Sequence, residues 1–185
     1  MGAGTGTLTF LFTDLEGSTR AWEAAPEEMA RALAEHDVAL RAVVERFSGQ
    51  VVKSTGDGLL AAFPDAASAV RAAIEAQRFL RSDRGRGLRA RMGLHTGTSV
   101  ERDGDHFGPA LNRAARIMAV AHADQVLASG ACAALAGADL DADVHLVDLG
   151  EHQLKDLASP ERIFQVTAAD LPDEFPPVRS ELATS

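Results

Sequence analysis

A hairpin framed by two helices is the feature that most limits how this chain folds. Residues 50–63, QVVKSTGDGLLAAF, divide into two strand-like halves around Thr-Gly-Asp-Gly, and Asp-Gly between such halves is a strong hairpin signal. Before the hairpin, Met29, Leu33, His36, Leu40, Val43, Val44 and Phe47 recur at intervals of three and four. That is the buried stripe of a helix of about five turns starting near Glu27, with Gly49 placed to cap its C-terminus. After the hairpin, Pro64 and Asp65 open a second helix with the stripe Ala66, Ala69, Val70, Ala73, Ile74, Gln77 and Leu80. Upstream, TLTFLFTD (7–14) is β-rich and apolar and reads as a central strand. EGSTRAWEAAP then holds a short helix, with Ser18 or Thr19 as its N-cap, that closes before Pro26. Downstream, LRARMGLHTGTSV alternates through Leu88, Ala90, Met92 and Leu94, as a strand does.

The resulting order, β-α-β-β-α-β, is the ferredoxin-like split unit, with its helices on one face. SDRGRG is a loop within it. A glycine-rich loop follows, then a helix from Pro109 to about Ala121, the strand QVLAS, a short helix through Cys132, and two strands around VHLVDLG and RIFQV. The expected fold class is therefore α+β: a ferredoxin-like βαββαβ core with a C-terminal αβ-αββ extension, forming a mixed, largely antiparallel sheet with helices packed on it. Residues 1–6 read as an N-terminal extension and 7–167 as one domain. Residues 168–185 read as an acidic, proline-rich loose tail.

Composition narrows the function classes. A chain of 185 residues can build one full core. A formal net charge of -9 argues against nucleic acid as a partner, because phosphate backbones demand a basic surface. It leaves room for one small phosphorylated ligand. A single cysteine, Cys132, forbids an internal disulfide and reads as a small buried residue in a reducing compartment. No apolar run approaches a membrane span. The start, MGAGTGT, lacks the basic and apolar regions of a signal peptide. A cytoplasmic protein, or a cytoplasmic piece of a longer one, is the expectation.

Six polar positions carry the chemistry. Asp14 ends the first strand and Asp57 stands at the hairpin tip; in a β-α-β-β unit those two elements can lie side by side. Neighbouring carboxylates repel unless a cation sits between them, and a hard cation such as Mg²⁺ is the usual solution. Asp57 taken alone is equally the residue an Asp-Gly turn prefers. Lys53 lies four residues earlier on the same side of its strand, facing a cleft or guarding a sheet edge. On the helix GPALNRAARIM, Asn112 and Arg116 share a face on which Ala115 leaves room. Leu111, Ala114 and Met118 turn toward the core, and Arg113 points away from Arg116. An Asn beside an Arg suits a sugar oxygen and a phosphate; an exposed polar helix face has the same composition. Lys155 falls at a turn between the last two strands. His36 reads as structural, and His95 lies in GLHTG without an assigned role. The phosphate-binding loop, the dinucleotide fingerprint, zinc motifs and the nucleophile elbow are all absent from the sequence.

These motifs together resemble the class III nucleotidyl cyclase catalytic domain of the bacterial adenylate cyclase type. The resemblance runs from about Thr7 to Val166 and rests on FLFTDLEGST, VVKSTGDGLLAAF, RMGLHTGTSVERDGDHFGPALNRAARI and LGEHQLKDLASPERIFQV. It implies conversion of ATP to 3′,5′-cyclic AMP and pyrophosphate. Asp14 and Asp57, helped by the Leu15 carbonyl, would bind two divalent cations, Mg²⁺ or Mn²⁺. Lys53 and Asp105 would read adenine. Asn112 would orient the ribose, Arg116 would stabilise the transition state, and Lys155 would hold the terminal phosphates. It further implies a head-to-tail homodimer whose two sites are shared between chains. A guanylate cyclase and a non-catalytic nucleotide-sensing module are the alternatives.

Overall fold

The computed structural model describes residues 4–180. Strand β1 (Gly4–Leu15) leads through helix α1 (Ser18–Ala24) into the long helix α2 (Pro26–Arg46). The hairpin β2 (Gln50–Ser54) and β3 (Gly58–Phe63) follows, then α3 (Ala66–Arg81), β4 (Ala90–Arg102) and the short β5 (Asp105–Phe107). Helix α4 (Pro109–Ala119), β6 (Val126–Ser129), α5 (Gly130–Ala136), β7 (Val144–His152) and β8 (Glu161–Ala168) complete the chain. The strands form one sheet in the order β2-β3-β1-β4-β6-β8-β7, with β5 paired to β4. Only the β4–β6 contact is parallel; the other pairs are antiparallel. The fold is α+β, as the order of periodicities implies.

Alternation along β1 divides the core between two faces. Leu11 and Leu15 face the α2–α3 side, packing with Leu40, Val44, Val70, Ile74, Met92 and Leu94. Phe10 faces the other side and packs with Leu60, Ala62 and the α4 residues Ala110, Leu111 and Ala114. The βαββαβ core thus keeps α2 and α3 on one face, and the extension covers the other with α4. Every residue of the α3 stripe is buried; Gln77 Nε2 donates to the Ala90 carbonyl at 3.0 Å, while its Oε1 is buried without a partner. Asp65 caps α3, accepting from the Ser68 amide at 2.8 Å. Fully burying each large side chain contributes about 1.5–3 kcal/mol, which places the main stabilising weight on these two layers.

Local details depart from the sequence expectation. Gly17, in the left-handed region at φ 72°, occupies the N-cap of α1, and no side chain of Ser18 or Thr19 caps it. At the end of α2, Ser48 takes the left-handed conformation. Gly49 is required for another reason: a Cβ there would stand 2.4 Å from the Phe63 ring. On α4, Ile117 is fully buried while Met118 is only half-buried, a rotation of the apolar face by one residue. Asp83–Gly85 form a 3-10 turn inside the expected loop, and β5 was not anticipated.

The expected termini differ too. Gly4 to Gly6 pair with Glu101 to Ser99 on β4 rather than forming an extension; residues 1–3 lie outside the described residues. The expected loose tail is tied down through residue 180. Leu171 packs on the main core, and Val178 packs on the Ile117–Leu127–Ile163 cluster. Gln165 Nε2 donates to the Asp173 carbonyl at 2.8 Å. Residues 181–185 of that tail lie outside the described residues.

Candidate active site

The sheet brings Asp14 and Asp57 together. Asp14, at the end of β1, is in register with Gly58 of β3 on one side and Arg91 of β4 on the other. Asp57 directly precedes Gly58. The close approach needs that glycine, because a Cβ at Gly58 would lie 1.8 Å from the Thr13 carbonyl oxygen. Trp22 Nε1, on α1, stands 3.5 Å from Asp57 Oδ1. Leu15, whose side chain is buried in the main core, carries its carbonyl one residue beyond Asp14.

A cation already answers Asp14. Arg91 Nη2 donates to Asp14 Oδ2 at 3.1 Å, and its Nη1 donates to the Ala119 carbonyl at 3.0 Å. Its Nε lies 4.0 Å from Glu16 Oε1 and is buried without a hydrogen-bond acceptor. This donor set fits the divalent cations that the resemblance implies. Among the described residues no three His, Cys, Asp or Glu side chains gather around one point. Asp14, Asp57 and the Leu15 carbonyl offer oxygen donors only. Small hard cations accept such donors when substrate phosphates and water supply the rest.

Lys53 and Asp105 also meet. Strand β2 is the sheet edge and β5 pairs only with β4, yet Lys53 Nζ lies 4.0 Å from Asp105 Oδ1. A register irregularity between Val51 and Lys53 re-aims the lysine, and the β4–β5 hairpin carries the aspartate over to it. Asp105 also accepts from its neighbour's amide, His106 N, at 2.9 Å, which fixes the carboxylate. Because β2 ends at Ser54, strand alternation does not link Lys53 to Asp57 as the sequence spacing suggested.

Helix α4 forms the third group. Asn112 is exposed and Ala115 is half-buried beside it. Arg116 Nη2 donates to Asp156 Oδ2 at 2.6 Å, while its Nε is buried with no acceptor. Asp156 follows Lys155 in the β7–β8 connection, so Arg116 and the exposed Lys155 share one neighbourhood. Arg113 is pinned elsewhere, on Glu161. Among the described residues, no hydrogen bond or ion pair joins the Asp14–Asp57 pair to Lys53, Asp105, Asn112 or Arg116.

Beneath α4 lies His95. Its Nδ1 is 2.7 Å from Ser129 Oγ. Burial, and then the nearby Arg113 charge, hold its pKa down to about 4, so the ring is neutral at physiological pH. Burial pushes the Cys132 thiol up to about 12, so it remains a protonated core residue. Sequence reasoning overlooked Arg91, Glu16 and Asp156. An arginine inside the alternating run of β4 was a visible signal, but its partner depended on strand register.

The chain matches the family model described as the adenylate and guanylate cyclase catalytic domain over residues 3–167. It is 39% identical over 178 residues to an uncharacterized protein of Mycobacterium tuberculosis, an alignment covering 95% of this chain and 61% of that one. It is 33% identical to an adenylate cyclase of Neurospora crassa, covering 86% of this chain and 8% of the fungal protein. The chain therefore spans about three fifths of the mycobacterial relative and a small part of the fungal one. Among solved structures, an adenylate cyclase of Trypanosoma brucei, analysed in its monomeric state, superposes with a TM-score of 0.81 at 27% identity, covering 94% of this chain and 92% of that one. With the match spanning almost all of both sheet faces, the chain belongs to the class III adenylate and guanylate cyclase catalytic domain family.

Proposed function

We propose that this domain is an adenylate cyclase, forming 3′,5′-cyclic AMP and pyrophosphate from ATP at sites shared by two copies of the chain. The observation that carries the adenine preference is the Lys53–Asp105 apposition at 4.0 Å. Adenine offers an acceptor at N1 and a donor at its 6-amino group. A lysine donates to the first and a carboxylate accepts from the second. Guanine presents the reverse pattern.

The reaction joins the ribose 3′-oxygen to the α-phosphorus and breaks the bond to pyrophosphate. Nucleophile and electrophile belong to one molecule, so positioning dominates. Asp14, Asp57 and the Leu15 carbonyl would hold two divalent cations, Mg²⁺ or Mn²⁺. Bound there, such ions lower the pKa of the 3′-hydroxyl and neutralise the triphosphate. Asn112 orients the ribose, with Ala115 leaving space for it. Arg116 meets the charge growing at the α-phosphate; removing a preorganised donor of that kind costs about 10²–10³ in rate. Lys155 holds the terminal phosphates.

Two features support a shared site. Within one chain, no described polar contact joins the carboxylate pair to the base-reading or Arg116 groups. The α4 side of the sheet also carries Leu8, Phe12 and Val52, only partly buried. A head-to-tail second copy would cover that surface and complete two sites. Among the described residues no helix is long and apolar enough to cross a membrane; the cytoplasmic setting we propose rests on the single buried Cys132, a free thiol suited to a reducing compartment. The test is turnover of ATP against GTP by the purified domain with Mn²⁺ or Mg²⁺. Cyclic AMP as the main product supports the reading. Preference for GTP, or nucleotide binding without turnover at dimerising concentrations, overturns it.

A further inference from the structure

The segment after β8 returns across the molecule to the edge of the carboxylate site. Its hold there is specific. Arg179 N donates to the Val120 carbonyl at 2.9 Å, just past the end of α4. His122 Nε2 donates to the Pro177 carbonyl at 2.8 Å, and its Nδ1 accepts from Arg179 Nε at 3.2 Å. Both bonds require the same tautomer, so they are mutually consistent. Val178 packs between them on the Ile117–Val120–Leu127 cluster. Arg179 Nη1 then donates to Glu16 Oε1 at 3.1 Å.

Glu16 is two residues beyond Asp14, and it faces a second arginine. Arg91 Nε stands 4.0 Å from the same Oε1 while its Nη2 holds Asp14. With the C-terminal strap seated, two arginines face two carboxylates. Glu16 has its nearer cation in Arg179, and Arg91 is left to Asp14. Without Arg179, one arginine faces two carboxylates. Glu16 then draws on Arg91, whose buried Nε has no acceptor, and the neighbourhood of Asp14 gains one negative charge.

We propose that the strap around Pro177–Ser180 is a brake on cation loading, with Arg179 acting through Glu16 and Arg91 on the Asp14 carboxylate. The inference rests on the reading of Asp14 and Asp57 as cation ligands. Release of the strap exposes a stronger demand for a divalent cation; seating it satisfies that demand internally. One added charge within several ångströms of a divalent ion, in largely aqueous surroundings, tightens binding about three- to tenfold.

The experiment measures Mn²⁺ binding without nucleotide, by the electron paramagnetic resonance signal of free Mn²⁺. Wild-type protein, Arg179→Ala, Arg179→Ala/Glu16→Gln and Asp57→Asn are compared at low ionic strength, with folding checked by circular dichroism. The expected result is about three- to tenfold tighter binding for Arg179→Ala, reversed in the double variant, and loss of binding for Asp57→Asn. Unchanged or weaker binding in folded Arg179→Ala, with Asp57→Asn still deficient, overturns the brake and leaves the ligand reading intact. Wild-type binding that Asp57→Asn does not reduce, or no binding in any variant, overturns both. The double variant retaining the full gain also overturns the brake, because the effect would not pass through Glu16.

Discussion

Substituting Gly93 by alanine would test how tightly α4 is seated. Gly93 lies mid-sheet, between Phe12 of β1 and Leu127 of β6. A Cβ there would meet Met118 N at 2.3 Å, Met118 Cα at 2.7 Å and the Ala114 carbonyl oxygen at 2.8 Å. All three are backbone atoms of α4, so no rotamer change relieves the overlap. Ordinary contact begins near 3.4 Å, so the helix must retreat by about 1 Å. Overpacking of this kind costs about 1–3 kcal/mol, and about 2–4 °C of melting temperature per kcal/mol is expected at this chain length. Arg116 lies between Ala114 and Met118 and moves with them, and a misplacement of about 1 Å at a reacting centre costs about 10² in rate. Thermal unfolding by circular dichroism and single-turnover cyclase kinetics read the two effects. Gly137→Ala is the control: it has no heavy atom within 4 Å of a new Cβ and an ordinary φ of -55°, and it should leave both readouts unchanged. A Gly93→Ala protein with wild-type melting temperature and turnover would refute the argument that α4 is fixed by backbone contact on β4.

Further outcomes follow from the same geometry. Lys53 and Asp105 are both partly exposed, so the double change Lys53→Glu/Asp105→Ser should leave stability nearly unchanged while reversing the hydrogen-bond pattern toward guanine; the ratio of GTP to ATP turnover should rise at least tenfold. His95 is held down to about 4 in the fold, below its ordinary value of about 6.5. The unfolded chain then takes up the proton first, so His95 lowers stability as pH falls from about 6.5 to 4, by up to about 3 kcal/mol. Urea unfolding of His95→Gln should lack that part of the acid slope.

Much of the fold was legible because its signals are local and periodic. The hairpin announced itself through Asp-Gly, and the α2 and α3 stripes through spacings of three and four. Pairwise geometry was less accessible. Asp14 and Asp57 are linked by topology, since β1 and the hairpin can be neighbours in a β-α-β-β unit, but Arg91 enters only through the register that sets it opposite Asp14. Lys53 and Asp105 met through a strand irregularity and a folded-back hairpin, neither of which has a periodic signature. The tail was misread because its composition is that of a loose segment. Its order comes from Leu171, Asp173, Pro177, Val178 and Arg179, and the partners of the last three lie far away in sequence. An eleven-residue helix offers too few turns to fix its phase, so the spacing points Met118 at the core where the fold buries Ile117.

The sharpest test of a cyclase site assembled from two chains is a mixing experiment. Asp57→Ala lacks one cation ligand and Arg116→Ala lacks the transition-state donor; each alone should be nearly inactive with ATP and Mn²⁺. In an equimolar mixture, half of the dimers are mixed, and each has one intact site and one doubly damaged site. About a quarter of wild-type cyclic AMP formation should therefore return. A mixture no more active than the two variants measured separately, while wild-type protein turns over, would contradict a site shared between chains.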